Sequence, residues 1–165
     1  MGRLSFDEFY ESFFDRVARA LVLAGADRDL ACDATQEAFA RALRRWRTVC
    51  DMDRPDGWVY VVAMNRLRDH WRRSERRRER TRDIDDGIRD NTSGVATRLS
   101  VRDAIATLPP RQRQAVVLRY LADLPLADVA DAMGCATGTV KATLHQAMQS
   151  MRIELDDEEG DDADR

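Results

Sequence analysis

Apolar residues recur at three- and four-residue spacing over most of this chain, and that period belongs to helices. Phe6, Phe9, Tyr10, Phe13, Phe14, Val17 and Leu21 mark a first amphipathic helix. Ser5 and Glu8 form a capping box in front of it and Gly25 ends it. A second helix runs from about Asp29, burying Ala31, Ala34, Ala38, Phe39, Ala42, Leu43 and Trp46. Its other face carries Asp33, Gln36, Glu37, Arg41 and Arg44. Thr48 to Asp56 has no period and contains Pro55, so it reads as a loop. A third helix starts near Asp56 and runs past Arg77 with two stripes. Tyr60, Ala63, Met64, Leu67 and Trp71 suit a core; Trp58, Val61 and Val62 give way to Asn65, Asp69 and Arg72. A helix patterned in this way has two jobs. No strand-like alternation stands out, so the expected fold class is all-α.

The helical period fails between Thr81 and Thr97, where Asp83-Ile84-Asp85-Asp86-Gly87 and Asn91-Thr92-Ser93-Gly94 read as a flexible linker. Order resumes with Leu99, Val101, Ala104, Ile105 and Leu108 before Pro109 and Pro110 stop that helix. Arg111 to Leu121 forms another, with Ala115, Val116, Leu118 and Leu121 available for a core. The expected organisation is two small helical domains, 1–80 and 99–154, joined by a flexible linker, 81–98, with an acidic disordered tail, 155–165.

The second domain holds the most specific local pattern. Leu126 to Met133 is a short helix with Val129, Ala130 and Met133 inward. Gly134 supplies the left-handed residue of a sharp exit, and the Thr137 hydroxyl can cap the next helix. Val140, Leu144, Ala147 and Met151 are its buried stripe; Thr139, Lys141, Thr143, His145, Gln146 and Gln149 stay near the open side. This is a helix-turn-helix whose second helix presents donors and acceptors of the right reach for a DNA major groove. On periodicity alone a structural helical hairpin with a solvated face fits too.

The net charge of −3 conceals segregation. Nine Arg face three acids between Arg66 and Arg82, and seven acids face one Arg between Asp156 and Arg165. A basic block can bind phosphate, and an acidic tail is usually solvated. Cys32, Cys50 and Cys135 are too far apart for a zinc or redox motif, and His70 and His145 are isolated, so no metal and no cofactor are expected. There is no Gly-rich phosphate loop and no paired nucleophile and base, which argues against an enzyme. No run approaches the roughly 18 apolar residues of a membrane span, and no signal peptide leads the chain, so a cytoplasmic protein without membrane insertion is expected.

Four stretches resemble landmarks of the compact two-domain bacterial sigma factors, the extracytoplasmic-function type. Asp33-Ala34-Thr35-Gln36-Glu37-Ala38-Phe39 is similar to that family's D-x-x-Q-E-x-F helix. Gly57-Trp58-Val59-Tyr60-Val61-Val62-Ala63-Met64-Asn65, followed by an Arg cluster, is similar to its W-x-x-x-x-A-x-N segment. Leu108-Pro109-Pro110-Arg111-Gln112-Arg113 and Gly138-Thr139-Val140-Lys141 resemble landmarks of its DNA-reading domain. The four stand in the family's order and spacing.

The resemblance implies roles. Asp33, Gln36, Glu37, Arg41 and Arg44 would dock on core RNA polymerase. The loop from Thr48 to Asp56, Trp58 and Asn65 would engage the melted −10 element of promoter DNA. Arg66, Arg68, Arg72, Arg73 and Arg76 would follow its phosphates, which gives affinity with little sequence information. For Trp58 and Trp71 core packing is the alternative. Thr137, Thr139, Lys141, Thr143, His145, Gln146 and Gln149 would face the −35 duplex. There the chain departs from the family, which places Arg where Thr143 and Gln146 stand. An anti-sigma factor is a further partner the resemblance implies. The competing readings are a free-standing helix-turn-helix repressor, which would need a dimerisation surface, and a polymerase-binding regulator whose DNA helix has lost function.

Overall fold

The protein is described here by a computed structural model covering residues 5–81 and 101–161. The expected linker, beyond Thr81, lies outside the described residues, as do Leu99 and 162–165. Every regular element among the described residues is helical. The first unit comprises α1 (Phe6–Leu23), α2 (Arg28–Arg44), a short α3 (Trp46–Val49) and α4 (Pro55–Thr81). The second comprises α5 (Val101–Thr107), α6 (Pro110–Val116), a π-helical turn (Val117–Leu121), α7 (Leu126–Met133) and α8 (Thr137–Asp161).

Local chemistry sets the helix ends. The Ser5 hydroxyl accepts from the Glu8 amide at 3.2 Å while the Glu8 carboxylate accepts from the Ser5 amide at 2.8 Å, completing the capping box. The Ser5 amide, and the Ser5 hydroxyl that also donates to that carboxylate at 2.8 Å, hold the Glu8 carboxyl below its usual range. At the other end of α1, Gly25 has φ +107°, the Ala26 amide reaches back to the Leu21 carbonyl and the Gly25 amide to that of Val22. This Schellman exit satisfies carbonyls the helix leaves open. Asp27 caps α2 by accepting from the Leu30 amide at 2.8 Å.

Ala31, Ala34, Ala38 and Ala42 are fully buried along α2. Their small side chains let α1 and α4 pack against its two sides. Phe9 and Phe39 anchor an aromatic cluster with Phe6, Tyr10, Phe14 and Trp46, with ring centroids as close as 4.8 Å between Tyr10 and Phe14. Truncating either buried Phe to Ala is worth about 3–5 kcal/mol.

Several sequence expectations need correction. Thr48 and Val49 are helical within α3, and Val49 is buried, so the loop shrinks to residues 50–54. A four-residue helix is too short to show a period. Leu43 is 55% exposed: α2 turns it away from both neighbours. Val101 is likewise exposed, at the first turn of α5. In the next helix, Leu121 is exposed and Val117 is buried. The cause is the π turn, closed by the Ala122 amide on the Val117 carbonyl at 3.0 Å. One extra residue in a turn rotates everything after it, so a 3.6-residue count misplaces the core positions.

Helix α8 differs at both ends. The Thr139 and Val140 amides reach the Ala136 carbonyl, so Thr137 lies inside the helix and does not cap it. The helix then continues to Asp161, through most of the segment expected to be disordered. Extending an existing helix needs no new nucleus, which is the costly step.

The two units pack on each other. Helix α7 lies along α4, and the end of α1 meets the second unit, where a Cβ added to Gly25 would come within 3.2 Å of the Arg113 guanidinium.

Candidate polymerase and nucleic-acid interfaces

The polar face of α2 is divided by α4 beside it. Asp33, Gln36 and Glu37 line an open groove of about 540 Å³, completed across it by Arg66 and His70 of α4. Glu37 accepts from the Arg41 guanidinium at 2.8 Å. That hydrogen bond, with the charges of Arg41, Arg44 and Arg66, holds its carboxyl below the usual range. A second depression, of about 380 Å³, is lined by Arg41, Arg44 and Arg45 together with Trp58 and Val62. The geometry thus regroups the sequence assignments. Arg66, expected among the phosphate-tracking arginines, faces the acids of α2. Arg41 and Arg44, expected with those acids, also border Trp58. Their shared chemistry, a guanidinium able to meet phosphate or carboxylate, left no signal in the sequence to separate them.

Further along α4, Arg72 and Arg73 are exposed and so is Arg76. Arg72 pairs with Asp69 at 3.1 Å in an exposed contact worth at most about 1 kcal/mol. Trp58 and Trp71 are both half-buried against the core. Asn65 is half-buried overall, yet its side-chain oxygen is buried with no hydrogen-bond partner. Such an orphaned acceptor costs about 1–3 kcal/mol.

Arg68 lies on the same stripe and donates to the Ala132 carbonyl in the last turn of α7 at 3.1 Å. Nothing in the sequence pointed to Arg54, which holds the other end of this contact. It grips Asp56 through both carboxylate oxygens at 3.2 and 3.0 Å and donates to the carbonyls of Asp123 at 3.0 Å and Ala122 at 3.3 Å. Burial pushes the Asp56 carboxyl up, but the Arg54 hydrogen bonds and the Gly57 amide outweigh it and leave it below its usual value. The stabilisation it contributes is therefore present above the ordinary aspartate pKa of about 3.9 and is lost as pH falls through the lower folded value. Asp123 itself adopts φ +50°, flanked by Arg54 at 3.8 Å and Arg119 at 3.5 Å.

The helix-turn-helix has the expected geometry. Gly134 has φ +62°, and the Cys135 amide bonds back to Ala130. Val140, Leu144, Ala147 and Met151 are buried. Thr137, Thr139, Lys141, His145, Gln146 and Gln149 are all exposed. Lys141, His145 and Gln149 follow each other at four-residue spacing and form one line. Thr143 is half-buried and donates its hydroxyl hydrogen to the Thr139 carbonyl at 2.8 Å, leaving its methyl and lone pairs for an outside contact. A Cβ at Gly138 would meet nothing within 4 Å, so the start of α8 is open to close approach. Cys32, Cys50 and Cys135 are free and half-buried, and no cluster of three potential metal ligands occurs among the described residues.

Comparison with known proteins assigns both units. The family model for Sigma-70 region 2 matches residues 9–77, and that for Sigma-70, region 4, matches residues 98–151. The RNA polymerase sigma-E factor of Streptomyces antibioticus is 32% identical over 154 residues, covering 93% of this chain and 86% of that protein. The ECF RNA polymerase sigma factor SigL of Mycobacterium tuberculosis is 32% identical over 147 residues, covering 82% of this chain and 80% of that one. Among solved structures, the sigma factor RpoE of Bartonella quintana, in complex with the anti-sigma factor NepR, shares the fold. Its TM-score is 0.68 at 19% identity, over 91% of this chain and 95% of that one. With both halves matched in order and relatives matched along nearly their whole length, the chain belongs to the sigma-70 family of RNA polymerase sigma factors, in its extracytoplasmic-function branch.

Proposed function

We propose that this chain joins core RNA polymerase and directs it to promoters, with the first unit serving the −10 element and the second the −35 element. The carrying observation is the pairing, in one chain, of an exposed polar α2 face with an exposed helix-turn-helix surface on α8. In this reading Asp33, Gln36 and Glu37 dock on polymerase. Trp58 and Asn65 hold the melted strand, where keeping a base out of the stack costs a few kcal/mol that an apolar wall and an amide can offset. Arg68, Arg72, Arg73 and Arg76 follow phosphates. Thr137, Thr139, Lys141, Thr143, His145, Gln146 and Gln149 face the −35 duplex. The chain supplies promoter choice and melting, and the polymerase supplies the chemistry, so it is not itself an enzyme. It works in the cytoplasm, where no membrane span is needed; no helix among the described residues is long and apolar enough to cross a membrane.

The solved relatives bound to anti-sigma factors support a protein of that kind as the partner that holds this chain inactive. Run-off transcription with purified core polymerase over a genomic fragment library tests the central reading. Discrete start sites that depend on the chain are expected. A chain that shifts a DNA fragment alone but starts no transcript would be a repressor instead.

A further inference from the structure

Positions 138, 142, 146 and 149 of α8 follow at spacings of four, four and three, on the side opposite its buried stripe of Val140, Leu144, Ala147 and Met151. All four are exposed: Gly138 and Ala142 first, then Gln146 and Gln149. The two small residues let a partner come close to the helix axis, since even a Cβ at Gly138 would meet nothing within 4 Å. Beyond them the surface offers carboxamides. Lys141 and His145 stand apart from this stripe, four residues from each other on one flank. On the other flank the Thr143 hydroxyl spends its hydrogen on the Thr139 carbonyl at 2.8 Å. That bond leaves the Thr143 side chain no donor for a base, and only its methyl and oxygen to present.

The base edges of a major groove sort these groups. Adenine shows an acceptor and a donor that a carboxamide meets with both of its own, and thymine shows a methyl that suits an apolar contact. Guanine shows two acceptors, which call for a guanidinium or an ammonium. Residues 143 and 146 lie about 4.5 Å apart along the axis at about 1.5 Å per residue, against about 3.4 Å between base pairs, which matches neighbouring pairs. The N-terminal part of a recognition helix enters the groove, which favours Gln146 over Gln149. We propose that α8 reads two neighbouring A·T pairs, Gln146 bonding the adenine of one and the Thr143 methyl packing on the thymine methyl of the other, so that the −35 element of this chain excludes G·C at both places. The inference rests on the reading of α8 as the −35 surface. Lys141 keeps to the flank, where phosphate is the acceptor within reach, so it adds affinity without choosing bases.

The test uses the full-length chain with core polymerase on a promoter library whose −35 block is randomised, sequencing the templates that yield run-off transcript. Two adjacent A·T pairs should dominate the block. Gln146→Ala should abolish the preference at one of them and leave the other. Thr143→Ser, which keeps the hydroxyl bond and removes the methyl, should do the converse. On the best selected duplex, Gln146→Ala should weaken binding roughly five- to a hundredfold, the worth of one bidentate base contact. Replacing the adenine there by 7-deazaadenine should weaken binding of the unaltered chain severalfold and leave Gln146→Ala unaffected. Uracil in place of thymine at the second position should cost about fourfold, the worth of one methyl, and nothing in Thr143→Ser. Templates selected with G·C at either place overturn the proposal. So does a 7-deazaadenine loss that persists unchanged in Gln146→Ala. If no template yields a transcript, the sigma reading fails instead. Selection of randomised duplexes by the full-length chain alone then decides which bases α8 reads, and a selection that enriches no A·T pair overturns the proposal as well.

Discussion

Asn65 is costly in the packed fold, and its proposed role at the −10 element gives a reason to keep it. Its amide oxygen is buried without a partner. Asn65→Ala removes that orphan, so the free chain should melt no lower, and up to about 1 kcal/mol higher in stability. Promoter opening, followed by permanganate footprinting, should fall while polymerase binding persists. Normal opening would remove Asn65 from base reading. Gly134 presents the reverse case. Its φ of +62° disfavours any side chain, and a Cβ there would press directly on the Arg68 guanidinium. Gly134→Ala should cost about 1–2 kcal/mol in thermal unfolding and displace Arg68 from Ala132. An unchanged melting temperature would mean that the turn relaxes freely. The sequence announces Gly134, because a helix exit has a known residue preference. It singles out Asn65 through the family resemblance but is silent on its buried oxygen, since burial of one amide oxygen depends on what packs around it.

At the level of elements, α2 was legible in its apolar stripe and ambiguous in its polar one. Hydrophobic period tells which side of a helix is inside; it does not tell which neighbour borders each part of the outside. Reversing charge with Asp33→Arg and Glu37→Arg should abolish co-purification with core polymerase while helical content is kept. Because Arg66 faces the same groove, Arg66→Ala should weaken polymerase binding and leave the salt dependence of DNA binding unchanged. A salt slope reduced by about 0.7–0.9 would return Arg66 to the phosphate contacts. The recognition helix carries a separate expectation. Thr143 and Gln146 cannot neutralise phosphate, so Thr143→Arg with Gln146→Arg should strengthen binding to matched and scrambled −35 duplexes alike, blunting discrimination. No gain in either would show that the helix approaches DNA by another face. The π turn was invisible for a different reason: no residue type marks the insertion, and the regular count simply runs on into Leu121.

For the whole molecule, the two units and their order were readable, whereas their contact was not. Arg54 and Arg68 bind main-chain carbonyls, and carbonyls are the same at every position of every sequence. The backbone of α8 continues to Asp161, so the acidic run lies on the same helical rod as the proposed −35 surface. Deleting residues 156–165 should therefore leave the melting temperature of both cores unchanged and raise non-specific duplex binding at low salt, an effect that fades as salt screens the charge. A marked loss of stability would mean that the rod's end is docked. Both partners in the α4–α7 contact sit on one polypeptide, so dilution does not loosen it and overproduction does not saturate it. An intramolecular contact of this kind keeps the same ratio of closed to open molecules at every dose. The strength of the contact is then set by a few residues of the seam, Gly57 and Leu124 among them, independent of copy number.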